Sequence, residues 1–347
     1  MANPKKVLIV DDVPMVRQSI IDILAGERDF EIVGEASSGA QALRMIIDTE
    51  PDLITMDINM PGMSGITALK HLMINSPTPT VMISSLTQEG SGQAFESIRF
   101  GAVDFIPKLS KLDESDFADQ QGSIMVKLRW AVNVDVSAIR YIPAAQKQLD
   151  RTAELADAQT LVAMGAAQGG YASLMKILPR LPENTPAAMF VVLYEHARYV
   201  DAFVSYIAAY CQIRVERAVD GAPLKAGVCY VSAGEDYVTL RHVGDGIGLH
   251  VHPAPFDSQR GSFNRLLYSA TDMLNDNVVG VLLSGAGDDG AEGLAEVIRV
   301  GGVALVQSPA TCLVREMAET AISYCGKDAL ICDDHVADQL VRILFSN

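Results

Sequence analysis

Five polar residues close successive short apolar runs in the first third of the chain. Asp11 and Asp12 follow Val7-Leu8-Ile9-Val10, and Asp57 follows Leu53-Ile54-Thr55-Met56. Ser84 ends the run from Thr80, and Lys108 follows Asp104-Phe105-Ile106-Pro107. Three carboxylates meeting on one rim repel each other unless a cation sits among them, and an oxygen-only ligand set with room for water suits Mg²⁺. A carboxylate beside Mg²⁺ can attack a phosphoryl donor while the metal and a lysine balance the developing charge. Any one of these aspartates is equally an ordinary helix cap or strand end. Five such positions in register favour a site.

The second half holds a turn shaped for a nucleophile that carries none. Gly165-Ala166-Ala167-Gln168-Gly169-Gly170 leaves an apolar run and opens a helical one. A glycine-flanked turn of this kind presents a side chain beside backbone N–H donors. Here the central side chain is the methyl group of Ala167. The N–H groups from Ala166 to Gly170 are expected to remain available for an anion or an amide oxygen. A second buried run ends in Ser284-Gly285-Ala286-Gly287-Asp288-Asp289-Gly290 and supplies a carboxylate, Asp289.

The elements that must position these residues are legible from periodicity. Strands are predicted at Val7–Val10, Glu31–Glu35, Leu53–Met56, Thr80–Ile83 and Asp104–Ile106. Helical spacing predicts helices over Met15–Leu24 and Ala40–Ile47. This alternation predicts a doubly wound, flavodoxin-like α/β domain with a five-stranded parallel sheet and its ligand site beyond the carboxyl ends of the strands. A capped helix is expected over Asp113–Trp130, with Phe117, Ile124, Leu128 and Ala131 on one stripe. The pattern then weakens from Asn133 to Asp157. Strands return at Leu161–Met164, Ala188–Leu193, Val278–Leu283 and Val303–Gln307, with helices over Ala172–Leu178 and Val200–Tyr210. Cys229–Ser232, Val238–His242 and Gly248–His252 alternate with Gly-Glu-Asp and Gly-Asp-Gly turn signals. A second α/β domain with a parallel sheet and a β-hairpin excursion is expected. The domain reading is 1–132, a linker at 133–157, and 158–347.

Composition narrows the functional classes. At 347 residues the chain is long enough for two cores, and 49 % hydrophobic with 20 % charged residues is ordinary globular composition. The formal net charge of −16 disfavours contact with a phosphate backbone, so no nucleic acid partner is expected. The five cysteines contain no C-x-x-C pair and are read as reduced thiols. No run is apolar for long enough to span a membrane, the start lacks a signal-peptide pattern, and a cytoplasmic location without membrane insertion is expected.

Residues 5 to about 130 resemble a two-component receiver domain, on Val10-Asp11-Asp12, Met56-Asp57-Ile58-Asn59-Met60-Pro61, Ile83-Ser84-Ser85 and Phe105-Ile106-Pro107-Lys108. The resemblance implies that Asp57 accepts a phosphoryl group from a sensor histidine kinase. It implies Mg²⁺ held by Asp11, Asp12, Asp57 and the backbone carbonyl of Asn59. Ser84 and Lys108 would meet the phosphoryl oxygens, and Phe105 takes the switch aromatic position. The second half resembles the chemotaxis protein-glutamate methylesterase domain. The resemblance rests on Gly165-Ala166 with Gly169-Gly170, Gly285 with Gly287-x-Asp289-Gly290, Gln259-Arg260-Gly261-Ser262, and Gln307 through Ala310-Thr311-Cys312.

That family uses a Ser-His-Asp set on receptor glutamate esters. In this chain Ala167 stands for the serine and Gln168 for the threonine after it. Tyr194 aligns with the histidine, and His196 lies two residues on, where a loop slip would carry an imidazole to the site. Asp289 remains. Gln259, Gly261 and Asn264 replace His, Pro and Asp of the substrate-side motif, and Arg260 could face an acidic receptor helix. The expected protein is a phosphorylation-controlled response regulator with a catalytically silent effector that binds chemoreceptors, the kinase or other chemosensory array proteins. The rival expectation is an active methylesterase or glutamine deamidase using an unconventional residue set.

Overall fold

The computed structural model describes residues 3–85, 88–108, 114–143, 155–253 and 261–346, the side chains of 88–91, 114–119 and 138 excepted. The chain divides into two compact units, Met1–Ile142 and Pro143–Asn347.

In the first unit the chain runs β1 (Lys5–Val10), α1 (Pro14–Leu24), β2 (Phe30–Ala36), α2 (Gly39–Thr49), β3 (Leu53–Asp57), α3 (Gly65–Asn75), β4 (Thr80–Ser84), α4 (Gln88–Arg99), β5 (Asp104–Pro107) and α5 (Glu114–Ala131). The sheet has five parallel strands in the order β2-β1-β3-β4-β5. Strands covered on both faces bury every side chain, which is why β3 and β4 read as unbroken apolar runs. Local chemistry sets the helix starts: the Ser38 and Ser64 hydroxyls cap α2 and α3 by accepting from the Gln41 and Thr67 N–H groups. Gly65 opens α3 against the end of β3, and a Cβ there would lie 1.9 Å from the Asp57 carbonyl oxygen. No larger residue fits that approach. Helix α5 follows the expected segment, with Ile124, Leu128 and Ala131 buried. Beyond it, Ile142 folds back on α4: its N–H donates to the Arg99 carbonyl, and Arg99 Nε donates to the Ile142 carbonyl.

The second unit continues β6 (Leu161–Ala166), α6 (Gly170–Ile177), β7 (Ala188–Leu193), α7 (Ala197–Ala208), β8 (Arg214–Arg217), β9 (Val228–Ala233), β10 (Asp236–Val243) and β11 (Gly246–Pro253). It closes with α8 (Ser262–Leu274), β12 (Val278–Leu282), α9 (Ala291–Arg299), β13 (Val303–Gln307), α10 (Glu316–Cys325), β14 (Leu330–Ile331) and α11 (Asp333–Phe345). Seven parallel strands are ordered β14-β13-β12-β6-β7-β9-β8, and β10–β11 form a separate antiparallel hairpin. The strand order reverses between β6 and β12, just as it reverses between β1 and β3 in the first unit. Such points leave a crevice at the carboxyl ends of the strands, where ligands bind in open α/β sheets.

Candidate functional site

In the first unit the crevice gathers the sequence-predicted residues. Asp11 and Asp57 are fully buried at the ends of β1 and β3, with Asp12 half-buried beside them. One carboxylate oxygen from each lies within 4.8 Å of the others. Lys108 reaches in from beyond β5, its Nζ 2.8 Å from Asp57 Oδ2 and 3.6 Å from Asp11 Oδ2. Burial raises both Asp57 and Asp11 above the ordinary carboxylate range, against the lowering pull of Lys108 on Asp57 and of the Val13 N–H on Asp11. For Lys108 burial works against the charge, but Asp57 and Asp11 outweigh it and hold the ammonium above its usual range.

Two buried oxygens there, Asp11 Oδ2 and Asp57 Oδ1, accept no hydrogen bond. Burying a carboxylate oxygen without a donor is costly, and a hard divalent cation is the partner that removes the cost. The donor set therefore fits a Mg²⁺-type ion. Asn59 is exposed two residues beyond Asp57. At the end of β4, Ser84 Oγ donates to the carbonyl of the next residue, Ser85, at 3.1 Å. Phe105 is buried, packed edge-on against Phe95 of α4 with ring centroids 5.2 Å apart. Behind it, Lys127 Nζ lies 3.1 Å from Asp104 in a buried ion pair and donates to the Phe105 carbonyl.

The crevice of the second unit is a cleft of about 340 Å³ lined by Ala167, Gln168, Tyr194, Ala286, Asp289 and Met317 among others. Ala167 follows β6, Tyr194 follows β7, and Asp289 lies beyond β12. The turn is held from beneath by Gln307, whose Oε1 accepts from the Ser284 N–H and the Ser173 hydroxyl, both at 3.0 Å. Gly285 packs so tightly that a Cβ would lie 2.3 Å from Met317 Sδ and 2.6 Å from the Ala167 methyl.

The Tyr194 hydroxyl, both Asp289 oxygens and Gln168 Oε1 are committed to hydrogen bonds. Asp289 Oδ2 accepts from the Tyr194 hydroxyl and, at 3.0 Å, from the Phe263 N–H. Its Oδ1 accepts from the Asn264 N–H at 3.0 Å. Burial, reinforced by the Asp289 carboxylate, pushes the Tyr194 phenol well above its usual value, so it stays protonated as a donor. Gln168 Oε1 accepts from the Ala286 N–H at 2.9 Å. The expectation of free N–H groups in the turn holds at Gln168 and Gly169, which donate to no described residue, and fails at two other positions. The Ala167 N–H donates to the Ser284 carbonyl at 3.0 Å and the Gly170 N–H to the Ala167 carbonyl at 2.8 Å, because the turn is also the junction of β6 with the loop after β12.

The loop slip that would bring His196 to this site does not occur. His196 is exposed at the cap of α7, where Nδ1 accepts from the Arg198 N–H and stands 3.8 Å from Glu235, and it is not among the cleft-lining residues. Gln259 and Arg260 lie outside the described residues. Burial pushes the Cys312 thiol up to about 12, which removes it as a nucleophile. Sequence reasoning missed the role of Asn264. Its Oδ1 accepts from the Gly290 N–H at 3.1 Å and the Gly293 N–H at 2.7 Å, capping α9 from another helix. It also missed Met317 and Glu316 at the cleft, which no spacing signal ties to Ala167.

Comparison with known proteins agrees with both halves. The receiver domain model of response regulators matches residues 7–116, and the CheB methylesterase model matches residues 162–340. The protein-glutamate methylesterase/protein-glutamine glutaminase of Pyrococcus abyssi (strain GE5 / Orsay) is 30 % identical over 97 % of this chain and 93 % of its own length. The protein of the same description from Archaeoglobus fulgidus is 32 % identical over 98 % of each chain. The crystal structure of the Thermotoga maritima CheB methylesterase catalytic domain superposes with a TM-score of 0.50 at 24 % identity, covering 53 % of this chain and 98 % of that one. With the receiver signature on the first sheet and the methylesterase signature on the second, this chain belongs to the CheB methylesterase family of chemotaxis response regulators.

Proposed function

We propose that this protein is a phosphorylation-controlled chemotaxis response regulator whose methylesterase-like domain is catalytically silent and works by binding. In the receiver, Asp57 is the phosphoacceptor. One of its carboxylate oxygens attacks the phosphorus of a kinase phosphohistidine, the N–P bond breaks, and the imidazole leaves. Asp11, Asp12, Asp57 and the Asn59 carbonyl would hold Mg²⁺, which when bound neutralises charge on the transferring phosphoryl group. Lys108 stays protonated beside Asp57 and is placed to pair with the new phosphoryl oxygens. Ser84 and Phe105, on adjacent strands, would answer the change of charge, and the domain arrangement would follow. The kinase is a sensor histidine kinase, and the effector's partners are chemoreceptors or other chemosensory array proteins.

The observation that carries the silent-effector reading is the pair Ala167 and Tyr194–Asp289. A methyl group stands where a nucleophile is needed, and the carboxylate that would orient a base is saturated by a phenol and two backbone N–H groups. Without nucleophile and base a triad mechanism loses several orders of magnitude. The relatives are named for esterase and glutaminase activities, so the test is methanol release from methylated receptor membranes, with and without beryllofluoride. An Ala167→Ser/Tyr194→His variant runs alongside. The expected result is no release from the natural protein and partial release from the variant. Stimulated release by the natural protein would overturn the reading.

A further inference from the structure

We propose that His250 and His252 form a two-histidine site for a divalent transition-metal ion, Zn²⁺ first, with Asp220 as the carboxylate that orients it. The two residues are separated by one position on β11, so their side chains stand on the same face of the strand. Their ring centroids are 5.1 Å apart with the planes at 64°. Zn–N bonds of about 2.0–2.1 Å on a tetrahedral ion put the centroids of two ligating imidazoles about 5 Å apart. The spacing thus matches chelation through one nitrogen of each ring.

The partners of the other nitrogens decide which one ligates. His250 Nδ1 lies 2.9 Å from Asp220 Oδ1, and His252 Nδ1 lies 3.3 Å from the Pro253 carbonyl oxygen. A carboxylate and a carbonyl only accept, so Nδ1 carries the proton in both rings and each neutral imidazole keeps its lone pair on Nε2. Neither Nε2 makes a hydrogen bond among the described residues. This is the carboxylate–histidine arrangement that fixes a ring's tautomer and orientation toward a metal.

Asp220 is itself fixed. The Val251 N–H donates to its Oδ1 at 3.0 Å, and its loop is zipped onto β11 by Gly221 N–H to the Leu249 carbonyl and Leu249 N–H to the Ala222 carbonyl. Arg241 Nη2, 3.0 Å from Asp220 Oδ2, neutralises that carboxylate. The site therefore holds its ion through imidazole lone pairs rather than net negative charge, and it selects Zn²⁺, Ni²⁺ or Cu²⁺ over Mg²⁺. Across the hairpin, Tyr237 pairs with His252 in the ladder, with ring centroids 6.0 Å apart. Two coordination positions of a tetrahedral ion stay open to water.

The test is calorimetric titration of Zn²⁺ into the full-length protein, with Mg²⁺ in excess so that the Asp11–Asp12–Asp57 cluster is filled. One binding event per chain is expected, weakened about tenfold or more by His250→Ala, by His252→Ala and by Asp220→Asn. His242→Ala, on the other strand of the hairpin, should bind as the natural protein does. On the ¹⁵N-labelled natural protein, Zn²⁺ should shift two histidine Nε2 resonances while their Nδ1 atoms keep their protons. This readout needs no variant to fold. Absence of a Zn²⁺ event, an event that survives the H250A/H252A double substitution, or unmoved Nε2 resonances would each overturn the proposal.

Discussion

The two crevices of this molecule are built alike and finished differently. Both open where the strand order of a parallel sheet reverses, and both carry a buried aspartate at a strand end or in the loop beyond it. In the receiver crevice, Asp11 Oδ2 and Asp57 Oδ1 are buried without a hydrogen-bond donor. In the effector crevice, both oxygens of Asp289 are occupied, one by Asn264 and the other by Phe263 and Tyr194. A site kept for chemistry leaves polar capacity open for a ligand and bears the desolvation cost of doing so. The effector crevice closes that capacity at Asp289 with its own residues. Fold and position do not distinguish the two crevices. The hydrogen-bond inventory does.

The largest expected effect tests the open crevice. Asp57→Asn should abolish phosphoryl uptake from a histidine kinase, measured as acid-labile phosphate per chain. Undiminished uptake would move the acceptor elsewhere and break the comparison. Next comes the closed crevice. Asp289→Asn places an amide NH₂ against a backbone N–H of Phe263 or Asn264, and should cost about 2–3 kcal/mol of stability in urea unfolding. A neutral result would mean that the carboxylate is not structurally committed.

Asn264→Ala removes the shared acceptor of Gly290 and Gly293 at the start of α9, and should cost about 1–2 kcal/mol by the same measurement. Tyr194→Phe takes one of three donors from Asp289 and should cost about 1 kcal/mol. The smallest effect is one of pH. Burial raises Asp57 and Asp11 above their unfolded values, so in the window between unfolded and folded pKa the native state binds more protons than the unfolded state. Their penalty to stability therefore grows as pH rises through that window and is absent below the unfolded value of about 3.9. Calorimetry in EDTA should find the receiver's melting temperature raised by Asp57→Asn at neutral pH and the gain shrinking toward acid. An acid-growing gain would show that Lys108 outweighs burial.

Much of the receiver was legible in the sequence because its site is made by strand ends. A parallel strand buried on both faces must be an apolar run, and the residue that ends it must sit at the rim, so Asp11, Asp57, Ser84 and Lys108 could be placed by reading along the chain. In the effector half the same logic located Ala167 and Asp289. It did not locate their neighbours. Asn264 and Phe263 sit at the start of α8, and Gln307 ends β13, each far along the chain from the turn it completes. Nor did it register that the N–H groups of Ala167 and Gly170 are consumed within the fold. Six helices that complete the architecture, α3, α4, α8, α9, α10 and α11, left no reading at all.

What the sequence by itself determined was chemical identity and order: a methyl at Ala167, a phenol at Tyr194, three carboxylates on one rim, and the alternation of period-two and period-3.6 patterns that requires two α/β sheets. Only the tertiary structure decided which polar groups are satisfied. A hydrogen bond depends on distance and direction to a donor that is often dozens of residues away. The same aspartate therefore reads identically along the chain whether the fold leaves it open, as at Asp57, or closes it, as at Asp289.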